Sequence, residues 1–393
     1  MAMESRGSHR CPLGRTAVCN RRGSSNFASM SIFIQGWEES EMSGIIGKPR
    51  IGVIGVGWIG YRHAKYCASY SNCELVGISD PGPVASKVGV ELGVPSFASV
   101  EDLLDRVKPD GVIIATPTQL HLQTAARALE RGVAVLIEKP ITDTVADART
   151  LVDLAKRNET SILVGHHRRH NSVVKETRRI LSEGDIGRLL AVSVLWSVKK
   201  PDDYFDVSWR REKGAGPVLI NLIHEIDLLR HLCGEIETVS AIVSSEGRGN
   251  SVEDTVVAML KFSGGAIGTI TASDASPAPW SWDSATGENP LIYQGRENAY
   301  RFLGSEGSLE FPDLFIWRYV DQAKPGWLSP ISRESRVIQQ NEAYIAQLEH
   351  FCRVIQCGET PLIDGEDGLR TLTATLSILE AAETGMPVTP TMG

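Results

Sequence analysis

The chain lacks long apolar runs, paired cysteines and internal repeats. No apolar stretch reaches the roughly 18 residues that a membrane span needs, so no membrane is expected as a partner. Its seven cysteines contain no C-x-x-C pair, and their number is odd. That argues against a disulfide framework and for a reducing compartment, so a cytoplasmic location is expected. Basic residues are in deficit: 40 Lys and Arg against 48 Asp and Glu give a net charge of −8 and a pI near 5.7. A chain of that balance is not expected to bind nucleic acid or an anionic surface. Acids are scarce in one place only. Before Glu38 the single acid is Glu4, among Arg6, Arg10, Arg15, Arg21, Arg22 and many serines. Residues 1–48 therefore read as a disordered or non-native extension. Met42 is an alternative start, and an organelle transit peptide is the competing reading.

What is present is enough chain for two domains. The 393 residues carry ample apolar content for two cores. The organising stretch is Arg50–Asp80, RIGVIGVGWIGYRHAKYCASYSNCELVGISD. The apolar run Ile51–Ile54 enters a turn with Gly55, Gly57 and Gly60. A helical segment and a second apolar run, Leu75–Ile78, follow and end at Asp80. This is the layout of a strand–helix–strand unit that binds a dinucleotide, with an acid roughly 20 residues beyond the glycines. The first Gly permits the turn, the second lets backbone approach the pyrophosphate, and the third lets helix and strand pack closely. The helix N-terminus favours the anion. A carboxylate at Asp80 accepts bonds from a ribose 2′-OH and repels a 2′-phosphate, which predicts NAD over NADP. A tight turn in another α/β fold, with Asp80 a turn residue before Pro81, is the alternative.

Beyond Asp80, helices are predicted at Val84–Leu92, Val100–Val107 (capped by Ser99 with Asp102), Leu120–Glu130 and Val145–Arg157. Buried strands are predicted at Gly111–Ala115, Val133–Ile137 and Ser161–Val164. Alternation of this kind gives an α/β Rossmann domain, a doubly wound parallel sheet over residues 49–168. Ligands in such sheets bind beyond the carboxyl ends of the strands. The glycine turn, Thr116-Pro117-Thr118 and Glu138-Lys139-Pro140 all fall there. Past Gly165 a helix over Val173–Leu181 precedes strands at Leu189–Val198, Thr238–Ser244, Thr255–Phe262, Ala266–Ala272, Arg301–Leu303, Leu309–Phe311 and Leu314–Tyr319. Successive strands indicate an α+β domain with an open, mostly antiparallel sheet over residues 169–393. Helices are expected at Asn221–Leu232, Glu342–Gln356 and Gly368–Glu383. The Trp-, Pro- and Gly-rich stretch Ser273–Asn298 reads as a long loop, a class that is often functional.

Three constellations carry chemistry. Lys139 at a buried strand end is open to desolvation, so it can polarise or protonate a substrate oxygen. A surface lysine is the competing reading. On a helix, Asn221 and His224 share a face, and Asp227 and His231 continue it. An imidazole there suits proton removal from an alcohol, and a merely polar helix face is the alternative. His166 and His170 have metal-ligand spacing for a helix. They lack accompanying Cys or carboxylate ligands, and Arg168 and Arg169 would repel a cation. No metal is expected, and substrate binding or a plain domain junction is favoured.

The ordered set Gly55-Val56-Gly57-Trp58-Ile59-Gly60, Ala115-Thr116-Pro117, Glu138-Lys139-Pro140, Gly165–Arg169, Gly214–Asp227 and Asp364-Gly365-Glu366-Asp367-Gly368 closely resembles the Gfo/Idh/MocA family of sugar and polyol dehydrogenases, from about Arg50 to Val388. The resemblance implies that Gly55, Gly57, Trp58, Ile59, Gly60, Asp80, Thr116, Pro117, His121, Glu138 and Lys139 line the cofactor. It implies that Lys139 polarises the reacting hydroxyl and that His224 is the acid/base. It also implies a homodimer or homotetramer built on one face of the second sheet. Many members carry an aspartate four residues before the histidine, where this chain has Ile220. Asn221 then supplies the polar contact, with Asp227 as another candidate partner. The expected activity is NAD-dependent hydride transfer from a carbinol of a sugar, polyol or sugar acid. Asn221, Arg168, Trp209 and Arg210 are candidate substrate contacts, and Lys199, Lys200, Arg210 and Arg211 suit a carboxylated sugar or merely a solvated loop. A glycosidase with internal NAD recycling and a non-catalytic NAD(H) sensor are the alternatives.

Overall fold

The computed structural model describes residues 47–391. The expectations for the arginine- and serine-rich extension lie outside the described residues, apart from its last two positions.

Six short strands and five helices alternate first. They are β1 (Arg50–Ile54), α1 (Trp58–Ser69), β2 (Glu74–Ser79), α2 (Val84–Leu92), β3 (Ser96–Phe97), α3 (Val100–Val107), β4 (Gly111–Ile114), α4 (His121–Leu129), β5 (Ala134–Ile137), α5 (Val145–Arg157) and β6 (Ile162–Val164). All pair in parallel, in the order β3-β2-β1-β4-β5-β6. This is the doubly wound dinucleotide topology, whose ligand crevice lies where the strand order reverses, between β1 and β4. The central strands are near-continuous apolar runs because helices cover both faces. Residues of β1, β4 and β5 such as Ile51, Ile113 and Leu136 are fully buried. At the start of α3, Ser99 accepts a bond from the Asp102 N–H, the expected cap. β3, only two residues long, is too short to leave a periodic signal.

The second half contains α6 (Ser172–Ser182), β7 (Leu189–Ser197), α7 (Ile223–Cys233), β8 (Ile236–Ser244), β9 (Thr255–Phe262), β10 (Ile267–Ser273), α8 (Trp282–Thr286), β11 (Tyr300–Gly304), β12 (Ser308–Phe311), β13 (Phe315–Tyr319), β14 (Ile331–Ser335), α9 (Ala343–Cys357) and α10 (Gly365–Thr384). Its eight strands run β14-β13-β12-β11-β7-β10-β9-β8, antiparallel except for the β7–β10 pair. One face packs on α7 and α10 residues. β9 alternates accordingly, with Val256, Ala258, Leu260 and Phe262 buried and Val257 and Met259 exposed.

The last two helices serve both halves. Leu348, Phe351, Cys352, Leu369 and Leu372 lie in the first core, whereas Ala374, Ile378 and Ala381 lie in the second. The stretch 273–298 is not wholly loop. Ser281 caps the short helix α8 by accepting from the Ser284 N–H. The helix read from Asn221 begins differently as well: a π-helical turn over Val218–Leu222 precedes α7. No helix among the described residues is long and apolar enough to cross a membrane.

Candidate active site

The glycine turn has the shape its spacing requires. Gly55 adopts φ +83°, and a Cβ there would lie 2.7 Å from the Ala115 carbonyl oxygen. A Cβ on Gly60 would sit 1.8 Å from the Gly55 oxygen, so α1 touches the loop backbone there. Gly57 is the opposite case, since a Cβ would meet nothing within 4 Å. It is the N-cap of α1, with no side-chain cap and no acid in the first turn. A helix N-terminus without a side-chain cap or an acid, with open space beside Gly57, suits an anion. Asp80 ends β2. Its Oδ2 accepts from the Val56 N–H at 3.0 Å and its Oδ1 from the Gly82 N–H at 2.8 Å, so it shapes both the glycine turn and its own.

The ends of β4 and β5 supply the next wall. Thr116 Oγ1 is buried and without a partner among the described residues. His121 is buried, and its ring nitrogens meet the Pro140 oxygen at 2.9 Å and the Thr116 oxygen at 3.0 Å. Each nitrogen faces a protein carbonyl, and the neutral ring donates to one of them, so His121 packs between the two strand-end loops. Glu138 is buried and bonded to His63 Nε2 at 2.8 Å. Burial alone would raise its carboxyl, but His63 brings it down to about 2. Lys139 is half-buried, with Nζ donating to the Ile220 carbonyl oxygen at 3.1 Å. Desolvation lowers its ammonium to about 8, against the opposing pull of Glu138.

These groups border one cavity of about 1120 Å³. Trp58, Ile59, Thr116, His121, Glu138, Lys139 and Arg168 line it from the first half, and Asn221 and His224 from the second. Asn221 Oδ1 is buried and unpartnered. His224 is half-buried and forms no hydrogen bond with another described residue. Burial, then Lys139 and Arg168, push its pKa well below the usual value, leaving a neutral imidazole.

Other candidates sit elsewhere. Asp227 does not partner His224. Both its oxygens accept from Arg169, at 2.9 and 2.6 Å, and Asp367 closes the pair from the other side at 2.5 Å. One turn of helix separates the residues, and α7 points Asp227 into the core. His231 contacts Arg178 at 2.8 Å, away from the cavity. Trp209 is half-exposed and absent from the cavity lining, and Arg210 packs on the Tyr204 ring at 4.1 Å. Lys199 and Lys200 reach the lining, whereas Arg211 does not. Arg168 lines the cavity, but its guanidinium donates to Glu225 at 2.8 Å and Asp283 at 3.4 Å. His166 precedes a 3-10 turn, His167–His170, of which His170 is the last residue, and both are buried. Desolvation lowers them to about 4 and about 3. Among the described residues no group of three or more His, Cys, Asp or Glu is placed to hold a metal.

Among the lining residues that escaped the sequence reading are Glu288, Asp283 and Tyr344. The length of the 273–298 stretch was the signal for the first two. Nothing local marks Tyr344, which reaches the cavity from α9, and its ring stacks on His167 at 4.1 Å.

A dinucleotide crevice edged by a lysine, meeting a second-domain wall of amide and imidazole on one cavity, defines a nicotinamide-dependent oxidoreductase. Residues 49–166 match the model of an oxidoreductase family with an NAD-binding Rossmann fold, and residues 174–310 match the Gfo/Idh/MocA C-terminal domain. The chain belongs to the Gfo/Idh/MocA oxidoreductase family. It is 30% identical over 262 residues to an uncharacterized oxidoreductase of Streptococcus pneumoniae, covering 64% of this chain and 68% of the relative. It is 26% identical to the scyllo-inositol 2-dehydrogenase (NAD(+)) of Bacillus subtilis, over 86% of this chain and 95% of that enzyme. Its fold matches the WlbA dehydrogenase of Bordetella pertussis, solved with NADH and UDP-GlcNAcA, with a TM-score of 0.71 at 24% identity, over 87% of this chain and 98% of that one.

Proposed function

We propose that the protein is an NAD-dependent dehydrogenase acting on a carbinol of a sugar, polyol or sugar acid. The observation that carries this reading is the convergence of Lys139, Asn221 and His224 with Trp58 and Ile59, which follow the open Gly57, on one cavity of about 1120 Å³. Gly55, Gly57 and Gly60, Trp58, Ile59, Asp80, Thr116, Pro117, Glu138 and Lys139 would hold the cofactor, with His121 packed between two of their loops. When bound, nicotinamide supplies the hydride acceptor. The open space at Gly57 and the unpartnered Thr116 hydroxyl fit such a group.

Lys139, steadied by the Ile220 carbonyl, donates to the reacting hydroxyl and stabilises the developing alkoxide. Neutral His224 accepts the hydroxyl proton. Asn221 Oδ1, buried and lacking a donor, takes a hydrogen bond from a neighbouring hydroxyl, which suits a polyol. Arg168 shapes this wall through Glu225 and Asp283. The carboxylate of Asp80 disfavours a 2′-phosphate and favours NAD. The name of the Bacillus relative supports the same cofactor and a ring polyol as substrate. The names of the relatives described above give no support to a recycling glycosidase or a sensor.

The assembly we propose is a homodimer or homotetramer. The outer face of β8, β9 and β10 exposes Ile242, Val257, Met259 and Ile267 at 76, 46, 59 and 60%, an apolar patch suited to burial against a second copy. Free thiols at Cys67, Cys73 and Cys352 suit a reducing compartment such as the cytoplasm. The test is NADH absorbance with NAD, and separately NADP, across aldoses, inositols, polyols and sugar acids. Reduction of NAD with one substrate class is expected. Tight NAD binding without turnover across the panel refutes the dehydrogenase, and a preference for NADP refutes the role of Asp80.

A further inference from the structure

A second imidazole lies beside His224 that the reaction above leaves unused. The His167 ring stands edge-on to His224, with centroids 5.7 Å apart and planes at 77°. Its other face is covered by the Tyr344 ring. Nε2 of His167 hydrogen-bonds Glu288 Oε1, and Glu288 Oε2 accepts from Trp282 Nε1 at 2.8 Å. The two side chains of this pair are only 8 and 11% exposed. Burial by itself would raise the Glu288 carboxyl, but His167 and Arg168 bring it down to about 2, so it is ionised at neutral pH. A carboxylate accepts only, so it fixes His167 as the Nε2–H tautomer. Nδ1 is left as a lone pair without a hydrogen-bonding partner among the described residues. His224, by contrast, has no carboxylate hydrogen-bonded to it among the described residues, and the turn before it contributes the apolar Ile220 to the cavity. The ionisable groups around His167, besides Glu288, include Glu138, Lys139, His166, Arg168, His170, His224 and Tyr344. Of these only Glu138 adds negative charge, and it is already bonded to His63.

We propose that the His167–Glu288 pair is the proton acceptor behind His224 during alcohol oxidation. The inference rests on the dehydrogenase reading. The hydroxyl proton passes to His224 and on to Nδ1 of His167 through a bridging water, since the two rings share no direct hydrogen bond. The C–H electron pair leaves as hydride to the oxidised nicotinamide, and the carbinol becomes a carbonyl. Glu288 remains ionised and holds the resulting imidazolium. It touches neither substrate nor cofactor and is a positioning residue. The competing account is a structural latch tying the 273–298 segment to the turn after β6.

The test compares kcat and KM between pH 5.5 and 9.5 for the wild type, Glu288→Gln and His167→Gln, on the substrate identified in the panel. Glutamine at 288 keeps an oxygen for the Trp282 N–H and removes the charge. The relay predicts a fall in kcat of about 10²-fold with KM nearly unchanged. It also predicts that the acid limb of kcat moves to lower pH by about one unit, because cationic imidazole loses its counter-charge. Nitrogen-15 NMR of histidine-labelled protein, without cofactor, is expected to show His167 as the Nε2–H tautomer in the wild type and as a mixture in Glu288→Gln. Retained kcat, a kcat loss with an unmoved acid limb, or an Nδ1–H tautomer in the wild type overturns the proposal. If Glu288→Gln fails to fold, His167→Gln decides, and kcat within about threefold of wild type overturns the relay. Wild-type protein that turns over no substrate refutes the dehydrogenase and the relay together. Turnover with unaltered variant profiles refutes the relay alone.

Discussion

The two glycines at the start of α1 make separable predictions. Gly60→Ala places a Cβ 1.8 Å from the Gly55 oxygen and 3.2 Å from the Ala115 Cβ. The first contact is with backbone, so no side chain can swing aside. Van der Waals contact requires more than an ångström of movement, either of α1 or of the loop. Overpacking of this kind costs about 1–3 kcal/mol, and a backbone clash belongs at the upper end. For a domain of this size, about 3 kcal/mol lowers the Tm by roughly 6–10 °C. Gly57→Ala meets nothing within 4 Å and leaves stability unchanged. Its methyl, however, occupies the space where the pyrophosphate backbone contact belongs, and NAD affinity falls about tenfold or more, a loss of about 1.4 kcal/mol or more. Calorimetric melting without cofactor reads the first effect, and titration calorimetry with NAD reads the second. A Gly60→Ala protein as stable as wild type refutes the close approach of helix to loop. A Gly57→Ala protein that binds NAD normally refutes the glycine turn as the pyrophosphate cradle.

Four further outcomes are expected. Lys139→Met lowers kcat by about 10²–10³-fold, and near-normal turnover with intact NAD binding removes Lys139 from the mechanism. Arg169→Leu strands the buried Asp227, whereas Asp367 keeps its pair with Arg230, and costs about 3–5 kcal/mol, read by urea melts. Acid destabilises the fold in two stages. His166, His170 and His231 have folded values of about 4, 3 and 3, depressed by burial, so the unfolded chain binds their protons first and stability drops as pH falls below about 6.5. Glu138, Glu288 and Asp227, held near 2, add a further loss as pH falls from about 4.5 toward 2. A Tm that stays flat between pH 7 and 5 refutes the first stage. Met259→Glu places charge in the exposed face of β9 and reduces the assembly to monomers by light scattering. An unchanged mass rules that face out as the contact.

The alternation of apolar runs with helical segments made the first sheet legible, because parallel strands buried on both faces leave continuous Val and Ile runs. Lys139 was legible as a candidate because its strand end shares a position with the glycine turn. The second half was less open. Its strands alternate cleanly, but nothing local distinguishes the parallel β7–β10 pairing from an antiparallel one. Periodicity assumes 3.6 residues per turn, so it passed over the π-helical turn that aims the Ile220 carbonyl at Lys139. Asp227 read as a continuation of the His224 stripe, and only packing shows it bonded to Arg169. Glu288 lies in a stretch without periodicity, and Tyr344 comes from more than 170 residues beyond His167, so tertiary structure alone brings them to the site.

The return of α9 to the first sheet bears on how the polypeptide is made. Gly111 on β4 leaves room for Phe351 and Ile355, whose atoms would come within 3 Å of a Cβ there. Phe351 is fully enclosed in that core. A ribosome that has finished the sixth parallel strand has therefore released a dinucleotide-binding half with an uncovered flank. The flank stays open through the synthesis of the entire second sheet and closes only when the final helices emerge. Chains truncated before Ala343 are expected to require chaperones or to be degraded, even with every glycine of the cofactor turn in place.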